Sequence, residues 1–310
     1  MERVEFKLSV LWRGWKLTLR SIRLKRALLA GVSLAILVPL LISLYHERAV
    51  LGSWLARVRP EAILLSFGLY SVALVLAVRA WGGMIDVLSH PIGAWRHFRI
   101  FCLTHLARRI PGVLWHVIGR VVWYEQEGVP KSVVSLASVL EQALIVLAGF
   151  VTYLLTLPVA LSSTPISPIV WLVGLIGGGV LVHPRLIGAV LRRLGRAEQA
   201  ESLRYSHVAI WLCSYILGWV AGGLILVAVV AALRPLSAVE VVALVGIWSL
   251  SGALGALAVF SPSGLGIREV SLTLLLGPLL PLPQAAFVAV FTRVILTGFE
   301  LVWALIALRV

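Results

Sequence analysis

Ionisable side chains stand inside or beside the apolar stretches of this chain, where an ionised group is costly. The candidates for chemistry are Arg109, Arg120, Glu141, Arg268, Glu269 and Arg293. At the centre of a membrane helix such a group costs roughly 2.5–3.5 kcal/mol even on the lenient insertion scale, so it faces protein or a wet cavity. Guanidinium groups bind phosphate through two parallel hydrogen bonds, and a carboxylate can orient them or exchange protons. We therefore expect a cavity that binds a phosphate-bearing group.

A purely structural alternative also fits these residue types. In that alternative, Glu141 and Arg293 pair with each other, or with Arg120 and Glu269, and only hold helices together. Arg109 would then be an ordinary basic anchor at a membrane surface. The sequence leaves both interpretations open.

Two breaks of similar composition interrupt the apolar stretches that carry these charges. The first runs from Arg108 through Pro111 and Gly112 towards Arg120, and the second runs from Ser261 to Glu269. The residues that break the helices are Pro111, Gly112, Pro262, Gly264 and Gly266. Backbone N–H groups freed at the start of a half-helix attract anions. Matching breaks in the two halves of a chain point to the binding site of a transporter.

Composition places the chain in a membrane. Of its 310 residues, 60% are hydrophobic and 13% charged, and the mean hydropathy is +1.02. The net charge of +14 comes from basic residues at the ends of apolar segments, which favours cytoplasmic loops and anionic headgroups over nucleic acid. There are two cysteines without a CxxC pattern and one aspartate. We expect no disulfide, metal site, cofactor or enzymatic activity.

The elements that must position the charged residues are helices. Residues 1–26 form a basic amphipathic pattern that is typical of a helix lying in the membrane interface. Full spans are predicted at 27–45, 61–80, 133–157, 167–182, 207–233 and 284–308. Two re-entrant helical hairpins are predicted at 81–131, turning at Pro111-Gly112, and at 237–280. Because 237–260 is long enough to cross completely, the alternative is eight spans.

The predicted fold class is therefore an all-α polytopic membrane protein. After the interfacial helix, residues 27–310 form a single transmembrane domain, with halves at 27–182 and 207–308 joined by a basic cytoplasmic loop at 183–206. Following the chain from a cytoplasmic N-terminus through six spans and two hairpins gives the halves opposite orientation, which is an inverted repeat, and a cytoplasmic C-terminus. The spacing agrees: 30 residues separate Pro111 from Glu141 and 31 separate Pro262 from Arg293.

These residues resemble the transmembrane-region family of the lysylphosphatidylglycerol synthases, a group of flippase-like membrane proteins. The likeness covers roughly residues 60–308 and rests on the segments from Ile110 to Arg120 and from Pro262 to Glu269, together with Leu140-Glu141 and Arg293. It implies paired re-entrant helices around a cavity. The cavity residues carried over are Pro111, Gly112, Arg120, Glu141, Gly264, Gly266, Glu269 and Arg293.

Two departures from the family pattern matter. Many relatives have an arginine after the glutamate of the middle span, where this chain has Gln142. The soluble aminoacyltransferase domain is missing, so we do not expect lysyl transfer from charged tRNA.

The predicted function is flippase-like transport of an anionic phospholipid or a polyprenyl-phosphate-linked glycan across the inner membrane. Its partners would be membrane lipids with anionic headgroups and, in one alternative, a glycosyltransferase. That alternative is a non-transporting member of a glycosyltransferase or polysaccharide-assembly complex. A second alternative is a membrane-embedded, lipid-modifying enzyme.

Overall fold

The computed structural model describes residues 60–107, 115–160, 168–258 and 266–309. The secondary structure in these ranges consists of eleven helices. They are α1 Pro60–Leu88, α2 Ala94–Leu106, α3 Trp115–Gln126, α4 Lys131–Ala160, α5 Pro168–Leu181, α6 Pro184–Arg193, α7 Ala197–Ser202, α8 Tyr205–Ala231, α9 Ala238–Leu257, α10 Ile267–Leu276 and α11 Leu282–Arg309. The predictions that lie outside the described residues are the helix at 1–26, the span at 27–45, Arg109, Pro111, Gly112, Pro262 and Gly264.

Five of these helices are long and apolar enough to cross a membrane: α1, α4, α8, α9 and α11. The described secondary structure is thus all helical, and these helices indicate a membrane-embedded protein. The predicted spans at 61–80, 133–157, 207–233 and 284–308 coincide with α1, α4, α8 and α11. The number of spans and the inverted repeat stay predictions.

The predicted basic loop at 183–206 has helical structure of its own, which the sequence did not indicate. It contains α6 and α7. Pro184 stands in the first turn of α6, where a missing N–H costs nothing. Ile187 and Leu191, four residues apart, are buried on one face of α6, and this short apolar stripe is enough to dock a helix that is otherwise basic.

The predicted span at 167–182 coincides with a helix in the structure. Its helix, α5, has 14 residues, fewer than the roughly 20 that a bilayer requires. Residues Leu175–Leu181 and the helix α6 form a pair bent by 42°. Together the two segments have the length and composition of a membrane span. The bend lies just before Pro184, since a proline and the residue preceding it disfavour helix continuation.

The stretch predicted as the first arm of the second hairpin is one uninterrupted helix. α9 has 20 residues, which suffices for a crossing by length alone. Its start is fixed by a capping box in which Ser237 Oγ accepts from the Glu240 N–H at 3.3 Å and the Ser237 N–H donates to Glu240 Oε2 at 2.8 Å. Whether α9 crosses completely or belongs to a hairpin stays a prediction.

Helices of corresponding type follow one another in the same order in both halves. In the first half, α2 is followed by residues 108–114, the 12-residue α3 and the long α4. In the second half, α9 is followed by residues 259–265, the 10-residue α10 and the long α11. The halves interlock, because α4 packs against α9 while α11 packs against α2. α4 joins the two buried cores, with Leu144 in the first and Phe150 in the second. Movement of α4 would therefore be felt on both sides of the molecule.

The contact between α4 and α9 depends on a close backbone approach. A Cβ atom on Gly149 would lie 2.8 Å from Ala253 Cβ and 3.0 Å from the carbonyl oxygen of Ser249. Glycine is required there because no side chain fits between two helices this close. The α4–α9 contact is thus set by the absence of a side chain at Gly149.

We predict that Gly149→Ala destabilises the protein by roughly 1–3 kcal/mol, since the added methyl group overpacks the α4–α9 contact. The matched control is Gly218→Ala on α8, where a new Cβ meets nothing within 4 Å. That control should be neutral or stabilising by up to about 1 kcal/mol, from helix propensity. Unfolding of both purified variants in detergent measures the difference. Equal stability of the two variants would contradict the close approach.

Candidate functional site: two buried ion pairs

The first ion pair joins α3 to α4. Arg120 and Glu141 are 0% and 2% exposed, and the guanidinium donates to both oxygens of the carboxylate, from Nη1 to Oε2 and from Nη2 to Oε1 at 3.3 Å. Tyr215, on α8, donates its hydroxyl to Glu141 Oε1 at 3.4 Å. The pair therefore connects three helices, and the two-pronged contact fixes the orientation of the guanidinium plane.

Aromatic rings cover the faces of the Arg120 guanidinium. The Trp81 ring lies 3.8 Å from it and the Phe101 ring 4.7 Å, measured from Cζ to the ring centroid. A cation over an aromatic face gains roughly 2 kcal/mol or more when both are removed from water. The Glu141 carboxylate thus contacts the Arg120 guanidinium in its plane, while Trp81 of α1 and Phe101 of α2 contact its faces.

Trp81 is itself held by a chain of hydrogen bonds. Its Nε1–H donates to Tyr124 Oη at 2.8 Å. Tyr124 Oη lies 2.8 Å from His97 Nδ1, and His97 Nε2 lies 2.9 Å from Asp86 Oδ1. Indole nitrogen can only donate, so the tyrosine hydroxyl is free to donate its own proton to His97. In the tautomer with its proton on Nε2, His97 donates to Asp86, and each bond in the chain then has a defined donor.

Sequence reasoning assigned no role to Asp86 or His97. It missed Trp81 and Tyr215. Asp86 lies in the last turn of α1 and His97 in the first turn of α2, and no known motif has this spacing. The one available signal was polar residues within an apolar stretch, which indicates burial and does not identify partners.

The second ion pair joins α10 to α11. Glu269 is 3% exposed, and its Oε1 accepts from Arg293 Nη1. Its Oε2 accepts from the backbone N–H of Gly266 at 2.7 Å, which closes the first turn of α10. Gly266 has a φ of 88°, in the left-handed region that favours glycine. One carboxylate thus caps a helix and binds an arginine, which accounts for the spacing of the Gly-x-x-Glu element.

Arg293 is less enclosed than Arg120. Its side chain is 19% exposed, and Nη2 is buried with no hydrogen-bond acceptor within the described part of the chain. Arg268, half-buried at the start of α10, places its guanidinium 4.2 Å from the centroid of the Trp248 ring on α9. The second half therefore carries two partly exposed arginines, Arg268 in the first turn of α10 and Arg293 on α11.

The two pairs have the same placement and the opposite order of charge. In the first half the arginine lies on the short helix α3 and the glutamate on the long helix α4, whereas in the second half the glutamate lies on the short helix α10 and the arginine on the long helix α11. Of the arrangements that the sequence left open, the structure has Glu141 with Arg120 and Arg293 with Glu269. Whether these residues bind a ligand stays a prediction.

A scan against known protein families finds no match for this chain, and a search of curated proteins finds none. The likeness to the transmembrane region of the lysylphosphatidylglycerol synthases therefore stays a prediction from the quoted segments.

We predict that Glu141→Gln destabilises the protein by roughly 3–5 kcal/mol, because it leaves the buried Arg120 ionised without a counter-charge. The double variant Arg120→Met with Glu141→Leu removes both charges and should recover most of that loss, since apolar replacement of a whole buried pair is often neutral. Thermal unfolding in detergent compares the two. A double variant as unstable as the single one would contradict this account of the pair.

Tyr124→Phe tests the chain that supports Trp81. The substitution leaves the Trp81 indole without an acceptor and His97 Nδ1 without its tyrosine partner, at a cost of roughly 1–3 kcal/mol for each unpaired buried group. Tyr205→Phe is the control, because Tyr205 is exposed and its hydroxyl lies 3.4 Å from His183. It should change the unfolding temperature little. Indistinguishable unfolding temperatures for the two variants would show that the chain contributes nothing to stability.

Proposed function

We propose that this protein is a flippase-like transporter that moves a lipid with an anionic, phosphate-bearing headgroup between the two leaflets of its membrane. The lipid is an anionic phospholipid or a polyprenyl-phosphate-linked glycan. The observation that carries the proposal is the pair of Arg–Glu contacts, each joining the short helix that follows a break to the next long helix. Buried charge at two matched breaks is the arrangement that transporters use at their binding sites.

The residues have unequal parts in this proposal. Arg293 has a buried Nη2 free to receive an acceptor within the described part of the chain, and Arg268 lies one residue before the glutamate that holds Arg293. A phosphate beside Arg293 would accept a hydrogen bond from this nitrogen. Arg120 already directs both terminal nitrogens to Glu141. Its part is to fix the first break relative to α4.

The remaining elements of the proposal concern topology. The breaks are re-entrant, the two halves have inverted orientation, and both termini are cytoplasmic in the inner membrane. The cavity changes its accessible side when one half rocks against the other. The interlocking of α4 with α9 and of α11 with α2 supports this, because it gives the halves two matched surfaces on which to move. The family likeness of the two break segments supports the same function.

A second candidate is a non-transporting partner in a polysaccharide-assembly complex. The observation that favours it is the exposed basic face of α6, formed by Arg185, Arg192 and Arg193. If that candidate is right, substitutions on α6 abolish function while substitutions of the buried ion pairs that keep the fold have no effect.

Leaflet exchange in proteoliposomes tests the transport proposal. We predict that the wild-type protein exchanges fluorescent phosphatidylglycerol, and that Arg293→Ala lowers the rate at least about tenfold because a phosphate ligand is lost. Arg234→Ala is the matched control, since Arg234 is an ion-paired arginine, 2.5 Å from Glu240, in the α8–α9 connection. Its exchange rate should equal that of the wild type at matched protein density.

Three results would overturn parts of the proposal. Absence of wild-type exchange for phospholipids and polyprenyl-linked sugars alike would exclude transport and favour the partner role. Exchange that survives Arg293→Ala would mean that the second ion pair only holds helices together. Conversion of the lipid into a new species, detected by mass spectrometry of the vesicle lipids, would indicate an enzyme.

A further inference from the structure

We infer that Gln142 is a positioning residue that couples the two breaks to each other through α4. Its neighbour Glu141 binds the helix that follows the first break, and Gln142 itself binds the helix that precedes the second. The inference concerns the structure of the protein and rests on the proposed function only for its consequence in transport.

The contact is a side-chain hydrogen bond to a helix end. Gln142 Nε2 donates to the carbonyl oxygen of Ala256 at 2.6 Å. Ala256 lies in the last turn of α9, immediately before the second break. The last four carbonyl groups of a helix have no N–H donor within that helix and need a donor from elsewhere. Gln142 supplies one, and this hydrogen bond ties the last turn of α9 to α4.

Two adjacent residues of α4 reach different neighbours because successive side chains on a helix are separated by about 100°. Glu141 faces α3 and receives Arg120, whereas Gln142 faces α9. A displacement of α3 that pulls on Glu141 therefore acts on the residue next to Gln142. The side chains of Glu141 and Gln142, together with the peptide unit that joins them, therefore connect α3 to α9.

The rest of the α4–α9 contact makes this path stiff. Trp219 of α8 donates its Nε1–H to the carbonyl oxygen of Ile145 at 2.9 Å, one turn along α4 from Glu141. Gly149 lies against Ala253 with no room for a side chain. α9 in turn lies beside the start of α10, where Arg268 covers the Trp248 ring. A shift of α4 is thus passed to the last turn of α9 and to the arginine after the second break.

This role also gives a structural reason for Gln142, which departs from the family pattern described above. An arginine at this position would place a further positive charge on α4, next to Glu141 in the chain. A glutamine donates the same kind of hydrogen bond without that charge. The amide is therefore suited to hold the end of α9 while leaving the ion pairs undisturbed.

Hydrogen exchange of the purified full-length protein tests the coupling without any transport assay. The perturbation is Arg120→Lys, which keeps the charge of the first pair and loses its two-pronged geometry. We expect it to accelerate exchange of the amides at 254–258 about tenfold when Gln142 is present, and less than twofold in a Gln142→Leu background, as for coupled residues in a double-mutant cycle. Gln142→Leu alone should accelerate the same amides and leave those of α3 unchanged.

The control and a second variant keep the test decisive. Ser138→Ala lies on the same helix and removes a hydrogen bond to Val134 of α4 itself, so the effect of Arg120→Lys should persist in that background. If Gln142→Leu does not fold, Gln142→Asn replaces it, because the shorter side chain keeps the amide and loses its reach to Ala256. Equal acceleration at 254–258 in wild-type and Gln142-substituted backgrounds would overturn the inference.

Transport then separates positioning from lipid binding. Gln142→Leu should lower the maximal rate of phosphatidylglycerol exchange several-fold and leave the lipid fraction at half-maximal rate unchanged, because Gln142 contacts a helix end and no headgroup. A changed half-maximal fraction would make it a lipid ligand and overturn the positioning role. Loss of exchange in every variant and in the wild type, with the hydrogen-exchange coupling intact, would refute the proposed function alone.

Discussion

The cost of placing ionised groups among apolar helices governs this structure. Taking one ion out of water costs several kcal/mol even after relaxation of the protein, and attraction to a partner offsets this only when the geometry is good and the remaining donors are satisfied. Arg120 has a carboxylate in its plane and two aromatic rings on its faces, while its buried Nε finds no hydrogen-bond acceptor among the described residues. Those contacts come from α1, α2 and α4. The burial of one arginine therefore fixes the relative positions of the four helices α1 to α4.

The same constraint explains why the polar atoms of this region form chains. Trp81 can cover Arg120 only if its indole N–H finds an acceptor, and Tyr124 supplies it. The tyrosine then needs an acceptor for its own proton, which is His97, and the histidine needs Asp86. Asp86 ends the chain at a side chain that is about one-third exposed, where water can solvate the charge. Each link is required by the one before it, since an unpaired buried donor costs roughly 1–3 kcal/mol.

Hydropathy and local signals predicted much of this architecture. Long apolar runs identified α1, α4, α8, α9 and α11, and isolated charges inside or beside apolar stretches pointed to the residues that form the two ion pairs. The choice of partner could not be read from the chain, because Tyr215 is 74 positions from Glu141 and Gln142 is 114 from Ala256. α6 and α7 were missed because helices of 10 and 6 residues leave too few apolar positions for periodicity to detect. In each case a tertiary contact decided what local sequence left open.

The two ion pairs have the same placement but unequal completeness, and this asymmetry bears on what each can do. Arg120 is fully buried with both terminal nitrogens on Glu141. A ligand that displaced that carboxylate would leave Glu141 buried without its counter-charge. Glu269 is divided between Arg293 and the backbone of Gly266, so Arg293 receives one carboxylate oxygen and keeps a donor in reserve. An anion that approaches Arg293 adds a hydrogen bond without breaking one. Arg120 Nε is also buried without a partner among the described residues, but Arg120 is completely buried, whereas the Arg293 side chain is 19% exposed. The first pair is therefore suited to holding helices and the second to binding a ligand.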